Sequence, residues 1–122
     1  MSWSLDARIP LIFVAPAELS AALAEGKPAA VLVESPVPAL PDGAAALEGF
    51  EAGGPTHAAA CACCTGRPPV SLALDRLFQA RVRGQCGWFA RVLAATEDPA
   101  ARAAIEAALQ GDALSRARFR LG

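Results

Sequence analysis

Lysine is almost missing from this chain. Lys27 is the only one in 122 residues, and the formal net charge is −1. No global basic field therefore favours nucleic acid. The arginines that gather late, at Arg116, Arg118 and Arg120, read as a solvated helix face rather than a phosphate patch. A convincing leader is missing too: the apolar run from Ile9 to Ala17 is short, holds Pro10 and Pro16, and follows Asp6 and Arg8. No stretch approaches the ~20 apolar residues of a membrane span. These absences predict a cytoplasmic protein with no membrane and no nucleic-acid partner. Thiols stay reduced in that compartment, so the cysteines read as ligands rather than a disulfide framework. There is no internal repeat, and the length fits one domain over 1–122. The hydrophobic share of 54% is high, but much of it is alanine, which buries little per residue.

What is present begins with Ile9-Pro10-Leu11-Ile12-Phe13-Val14, a continuous apolar run of the kind buried on both faces of a parallel sheet. Pro16 starts a short helix with Leu19, Ala22 and Leu23 on one face and Gly26 as its stop. Ala29 to Glu34 is a second buried strand, so strand, helix and strand form a compact crossover unit. From Ser35 to Ala60 prolines and glycines dominate, with a short helix expected around Ala44 to Leu47. Pro68 and Pro69 suit the first turn of an amphipathic helix carrying Val70, Leu74, Leu77, Phe78 and Val82 and ending before Gly84. Trp88 to Thr96 reads as a third strand, with Trp88, Phe78 and Phe13 as core residues. Asp98 caps a helix with Pro99 at its first position and a stripe of Ile105, Ala108 and Leu109. A short helical piece follows Asp112, and Arg118 to Gly122 begins a strand. The alternation predicts an α/β domain with a small, mostly parallel sheet of three to four strands and flanking helices.

The most distinctive chemistry lies in a loop-rich segment at about 35–67. His57 is the only histidine, and Cys61, Cys63 and Cys64 follow it within one short stretch. Thiolates are soft ligands, and Cys61 and Cys64 have the two-residue separation common in zinc sites. Three thiolates and His57 are the predicted metal ligands, with zinc the predicted ion. Glu34, Glu97 and Asp98 are weaker rivals for the fourth position, and Asp98 has an alternative duty as a helix cap. In α/β sheets ligands gather beyond the carboxyl ends of the strands. The cysteine motif precedes a helix that begins at that edge. Cys86 follows the far end of the same helix, roughly 20 Å away for ~13 residues, and reads as a buried or half-buried free thiol. No nucleophile, base and acid stand in a catalytic arrangement, so no enzyme is expected.

The order of strand, cysteine motif, helix, strand, Asp-Pro helix and closing Arg-x-Arg-x-Leu resembles the CobW-type family of P-loop GTPases. In that family a Cys-x-Cys-Cys motif sits between the nucleotide-binding motifs, and members act in metal insertion and zinc homeostasis. Cys61-Ala62-Cys63-Cys64 matches the motif in full, Thr65-Gly66-Arg67 resembles the turn after it, and Asp98-Pro99 and Arg118 to Leu121 match later signatures. The nucleotide machinery departs. After the first strand stands Ala15-Pro16-Ala17-Glu18-Leu19-Ser20-Ala21-Ala22, with neither the glycines nor the lysine that cradle phosphate. Gly26-Lys27 is followed by Pro28 and is no displaced P-loop. Val33-Glu34-Ser35-Pro36 keeps only the acid of the family's second signature, Ala94-Ala95-Thr96-Glu97 is a reduced third, and the guanine-reading motif would lie beyond Gly122. The resemblance implies a shortened relative with a degenerate P-loop: a metallochaperone-like protein that buffers or delivers zinc, binds no nucleotide, and meets a metal-acceptor protein or a second copy of itself. Two other readings stay open, a metal-stabilised interaction module and a thiol redox protein.

Overall fold

The computed structural model describes residues 7–35, 38–51 and 68–122. Five strands form one parallel sheet in the order β3-β2-β4-β1-β5. They are β1 (Ile9–Val14), β2 (Ala29–Glu34), β3 (Ala44–Phe50), β4 (Arg91–Ala95) and β5 (Phe119–Leu121). A single 3₁₀ turn at Pro16–Glu18 leads into α1 (Leu19–Ala24), and the remaining helices are α2 (Pro69–Val82), α3 (Pro99–Gly111) and α4 (Ala113–Arg118).

The continuous apolar runs take the central strands because both sheet faces are covered. Along β2, Ala30 and Leu32 pack with α2 and α3, while Val31 and Val33 pack with Leu19 and Leu23 of α1. Two-faced burial is what an uninterrupted Ala-Ala-Val-Leu-Val sequence suits. On the larger side, Val70, Leu74 and Leu77 of α2 meet Ile105 and Leu109 of α3 across Val92 and Phe119. Each of these large side chains contributes about 1.5–3 kcal/mol by leaving water.

Sequence punctuation fixes the helix ends. Asp98 accepts a hydrogen bond from the Ala100 N–H at 3.2 Å, and Pro99 supplies the preset first position of α3. Asp112 then serves twice, closing α3 and capping α4, where it accepts from the Ser115 N–H at 3.0 Å and hydroxyl at 2.8 Å. The final strand is stitched on by Phe119, fully buried, and by the Gly122 N–H donating to the Leu11 carbonyl at 2.9 Å.

Several expectations are corrected. Ala44 to Leu47 is no helix: Ala44–Phe50 is the edge strand β3, paired in parallel with β2. A four-residue helix cannot recover its nucleation cost, whereas β2 offers ladder partners along its length. The register slips between Ala29 and Ala30, which leaves one extra β3 residue, Ala45, as a bulge. This strand, with β5, raises the sheet to five. The strand expected from Trp88 starts only at Arg91. Trp88 is 63% exposed, with the Arg81 guanidinium 3.5 Å above its ring, and Phe89 takes the core position instead. Phe13 and Phe78 are half-buried and Val82 lies exposed at the end of α2. Among the described residues no helix is long and apolar enough to cross a membrane.

Candidate functional site

Among the described residues, two clefts lie at the carboxyl edge of the sheet. The outer one, of about 290 Å³, lies where β2 and β3 end and α2 begins, lined among others by Ser35, Phe50, Glu51, Pro69, Leu72 and Arg76. Parallel pairing sets Glu34 opposite Phe50, and the Ser35 N–H donates to the Phe50 carbonyl at 2.8 Å. The periodicity of α2 turns Val70, Leu74 and Leu77 inward, which leaves Arg76 on the outer side. Its Nε donates to Glu48 Oε1 at 2.6 Å and its Nη2 to the Gly49 carbonyl at 3.3 Å, tying α2 to β3 beside the cleft. The pair is largely solvated, so its contribution stays within about 1 kcal/mol.

The inner cleft, of about 260 Å³, opens between the ends of β1 and β4 and the first turns of α3. Phe13 and Val14 of β1 line it with Ala15 just after them, Thr96 and Glu97 follow the end of β4, and Arg102 comes from α3. The chain leaves β1 towards α1 on one face of the sheet and leaves β4 towards α3 on the other. This divergence of neighbouring strands is the switch point at which parallel sheets open a crevice. Arg102 lies over the Phe13 ring at 4.4 Å.

Thr96 organises the ground between the clefts. Its hydroxyl donates to Glu34 Oε1 at 3.1 Å and accepts from the Asp98 N–H at 3.1 Å, so the end of β2 is linked to the start of α3. Of the predicted site residues, His57, Cys61, Cys63 and Cys64 lie outside the described residues. Among those described, no three His, Cys, Asp or Glu side chains form a metal-holding group. The three acidic rivals are separated in role: Asp98 is the α3 cap, Glu97 lines the inner cleft, and Glu34 holds Thr96 on the strand next to β3. Cys86 makes no disulfide and is half-buried against the larger core, beyond the far end of α2. Burial lowers the pKa of neighbouring Arg81, and a negative charge on the Cys86 sulfur opposes that shift.

Sequence reasoning missed Arg76, Thr96 and Arg102. The outward side of α2 singles out Arg76, but its partner sits on β3, which the sequence pattern disguised. Thr96 was legible only as a remnant of a nucleotide signature, and Arg102 carries no local signal at all.

Fold and edge together define a small parallel α/β domain with helices on both sheet faces. Compared with protein-family models, curated proteins and solved structures, the chain matches none.

Proposed function

We propose that this chain is a non-catalytic zinc-binding protein that buffers or hands over the ion, held by Cys61, Cys63, Cys64 and His57. One observation carries the reading. Glu51 and Pro69, which stand on either side of the cysteine-bearing stretch 52–67, line the same cleft at the carboxyl edge. The described residues on either side of the stretch thus stand beside one cleft. The donor set of the stretch suits the ion: thiolates and imidazole favour zinc over harder cations. The motif's resemblance to CobW-type metallochaperones supports the same reading and suggests exchange with an acceptor, while the missing phosphate loop argues against nucleotide binding. Three thiolates with an exchangeable fourth ligand release metal more readily than a closed four-thiolate cage. Glu34, a rival for the fourth position, lies on the strand that adjoins β3, while Glu51 is the described carboxylate that lines the cleft itself.

Metal content and X-ray absorption on protein purified under reducing conditions test this directly. The expected result is one zinc per chain with about three sulfurs at ~2.3 Å and one lighter atom. Cys61→Ala/Cys64→Ala should abolish binding and Cys63→Ala weaken it. Affinity should fall as pH falls, because protons compete for the thiolates. Protein that carries no metal in reducing conditions sinks the proposal and leaves the thiols to redox chemistry.

A second reading, a metal-stabilised interaction module, is favoured by the position of β3 at the sheet's edge, where its outer side has no strand partner among the described residues. Zinc transfer to an apo-acceptor separates the two, since a purely structural ion stays bound.

A further inference from the structure

We propose that the inner cleft binds a small zwitterion, an α-amino acid with a compact apolar side chain, its carboxylate on Arg102 and its ammonium on Glu97. The inference does not depend on the zinc reading, because it is argued only from the described residues that line this cleft.

The place is set by topology, since β1 and β4 send their chains to opposite faces and leave the crevice between them open. Its two charged side chains, Glu97 and Arg102, stand at exposed positions. Arg102 and Glu97 line the same space of about 260 Å³, yet neither forms an ion pair or a side-chain hydrogen bond, with each other or with any other described residue. Among the described residues the Arg102 guanidinium has one partner, the Phe13 ring, 4.4 Å away. A guanidinium held over a ring can still offer its N–H groups to a carboxylate, which an arginine receives with two parallel hydrogen bonds. Arg102 also stands near the amino end of α3, where the helix field favours an added negative charge. Thr96, the remaining polar side chain in the cleft, has its hydroxyl engaged by Glu34 and the Asp98 N–H.

Among the described residues, what is left for a ligand is therefore one cation, one anion and the apolar wall of Phe13, Val14 and Ala15. A phosphate or nucleotide is a poor complement, because a single arginine faces it and Glu97 repels it. A simple carboxylate leaves Glu97 unanswered, and a simple amine leaves Arg102 unanswered. An amino acid answers both charges at once.

Titration of the full-length, ¹⁵N-labelled chain with L-valine, sodium acetate and methylammonium chloride at matched ionic strength tests the assignment. L-valine should give saturable amide shifts at Thr96, Glu97 and Arg102, with acetate and methylammonium each binding about ten-fold more weakly or worse. Glu97→Gln and Arg102→Gln, both at exposed positions, should each weaken valine binding by about ten-fold while leaving the rest of the spectrum in place. Cys61→Ala/Cys64→Ala should bind valine unchanged, which keeps this test apart from the metal site. Absence of saturable shifts with valine, acetate binding as well as valine, or full affinity in Glu97→Gln overturns the proposal.

Discussion

Arg91 holds the carboxyl end of α1. Its Nε donates to the Lys27 carbonyl at 2.8 Å, and its Nη2 donates to the Ala22 carbonyl at 2.9 Å and to that of Glu25. These are carbonyls of the last helical turn and the residues after it, and a cation there also meets the negative end of the helix. Arg91→Ala should lower stability by about 1–3 kcal/mol, and Arg91→Lys should restore only part, because an ammonium cannot reproduce the planar fork. A urea midpoint that does not move in Arg91→Ala would contradict this. Ser71 poses the opposite case. It is 0% exposed in the first turn of α2, and its Oγ has no hydrogen-bond partner among the described residues. A buried hydroxyl left in that state costs about 1–3 kcal/mol. Ser71→Ala should therefore be neutral or stabilising in the same urea experiment. Loss of more than about 1 kcal/mol would mean that the hydroxyl is satisfied after all.

Among the elements, legibility followed the strength of local signals. The bounds of β1 and β2 are plain in the sequence because five or six successive apolar residues suit only a doubly covered strand of that length. The α3 helix is equally plain, with Asp98, Pro99 and the stripe of Ile105, Ala108 and Leu109 all agreeing. Asp98→Ala should cost about 1 kcal/mol through the lost cap. It should leave metal stoichiometry untouched, since its carboxylate serves α3; a calorimetric melt and metal analysis on one preparation check both. By contrast β3 is nearly all alanine, glycine and one leucine between its aromatic end and its turn, and alanine's helical preference is too weak to overrule a waiting strand partner. Trp88 misleads in another way. Its size suggests burial, yet Arg81 covers one face of the ring in solvent and Phe89 fills the core. For the site, the cysteine motif announces itself through spacing alone. The partnerships of Arg76 with Glu48 and of Thr96 with Glu34 join residues far apart in sequence, and only strand order reveals them.

On the scale of the whole molecule, parallel topology gives the domain two chemically different ends. Every strand finishes at the edge that carries both clefts, and every helix after a strand begins there. The helix α2 runs from Pro69 at that edge to Val82, and 14 residues at ~1.5 Å each carry it about 21 Å away. Cys86 lies four residues further on and packs half-buried against the larger core, beside Arg81 and the turn that leads back into β4. It is thus separated from Glu51 and Pro69 by the length of a helix and by the packed side chains of the core, a distance that no rotamer change can bridge. If the proposed zinc is held by the thiols between those two residues, Cys86 has no part in it. Cys86→Ser should retain one metal per chain and the same sulfur count by X-ray absorption, with at most a modest drop in stability from a hydroxyl set against apolar neighbours. Loss of metal or of one sulfur in this variant would mean that the ligands are drawn from two copies of the chain, the amino end of one α2 set against the carboxyl end of the other.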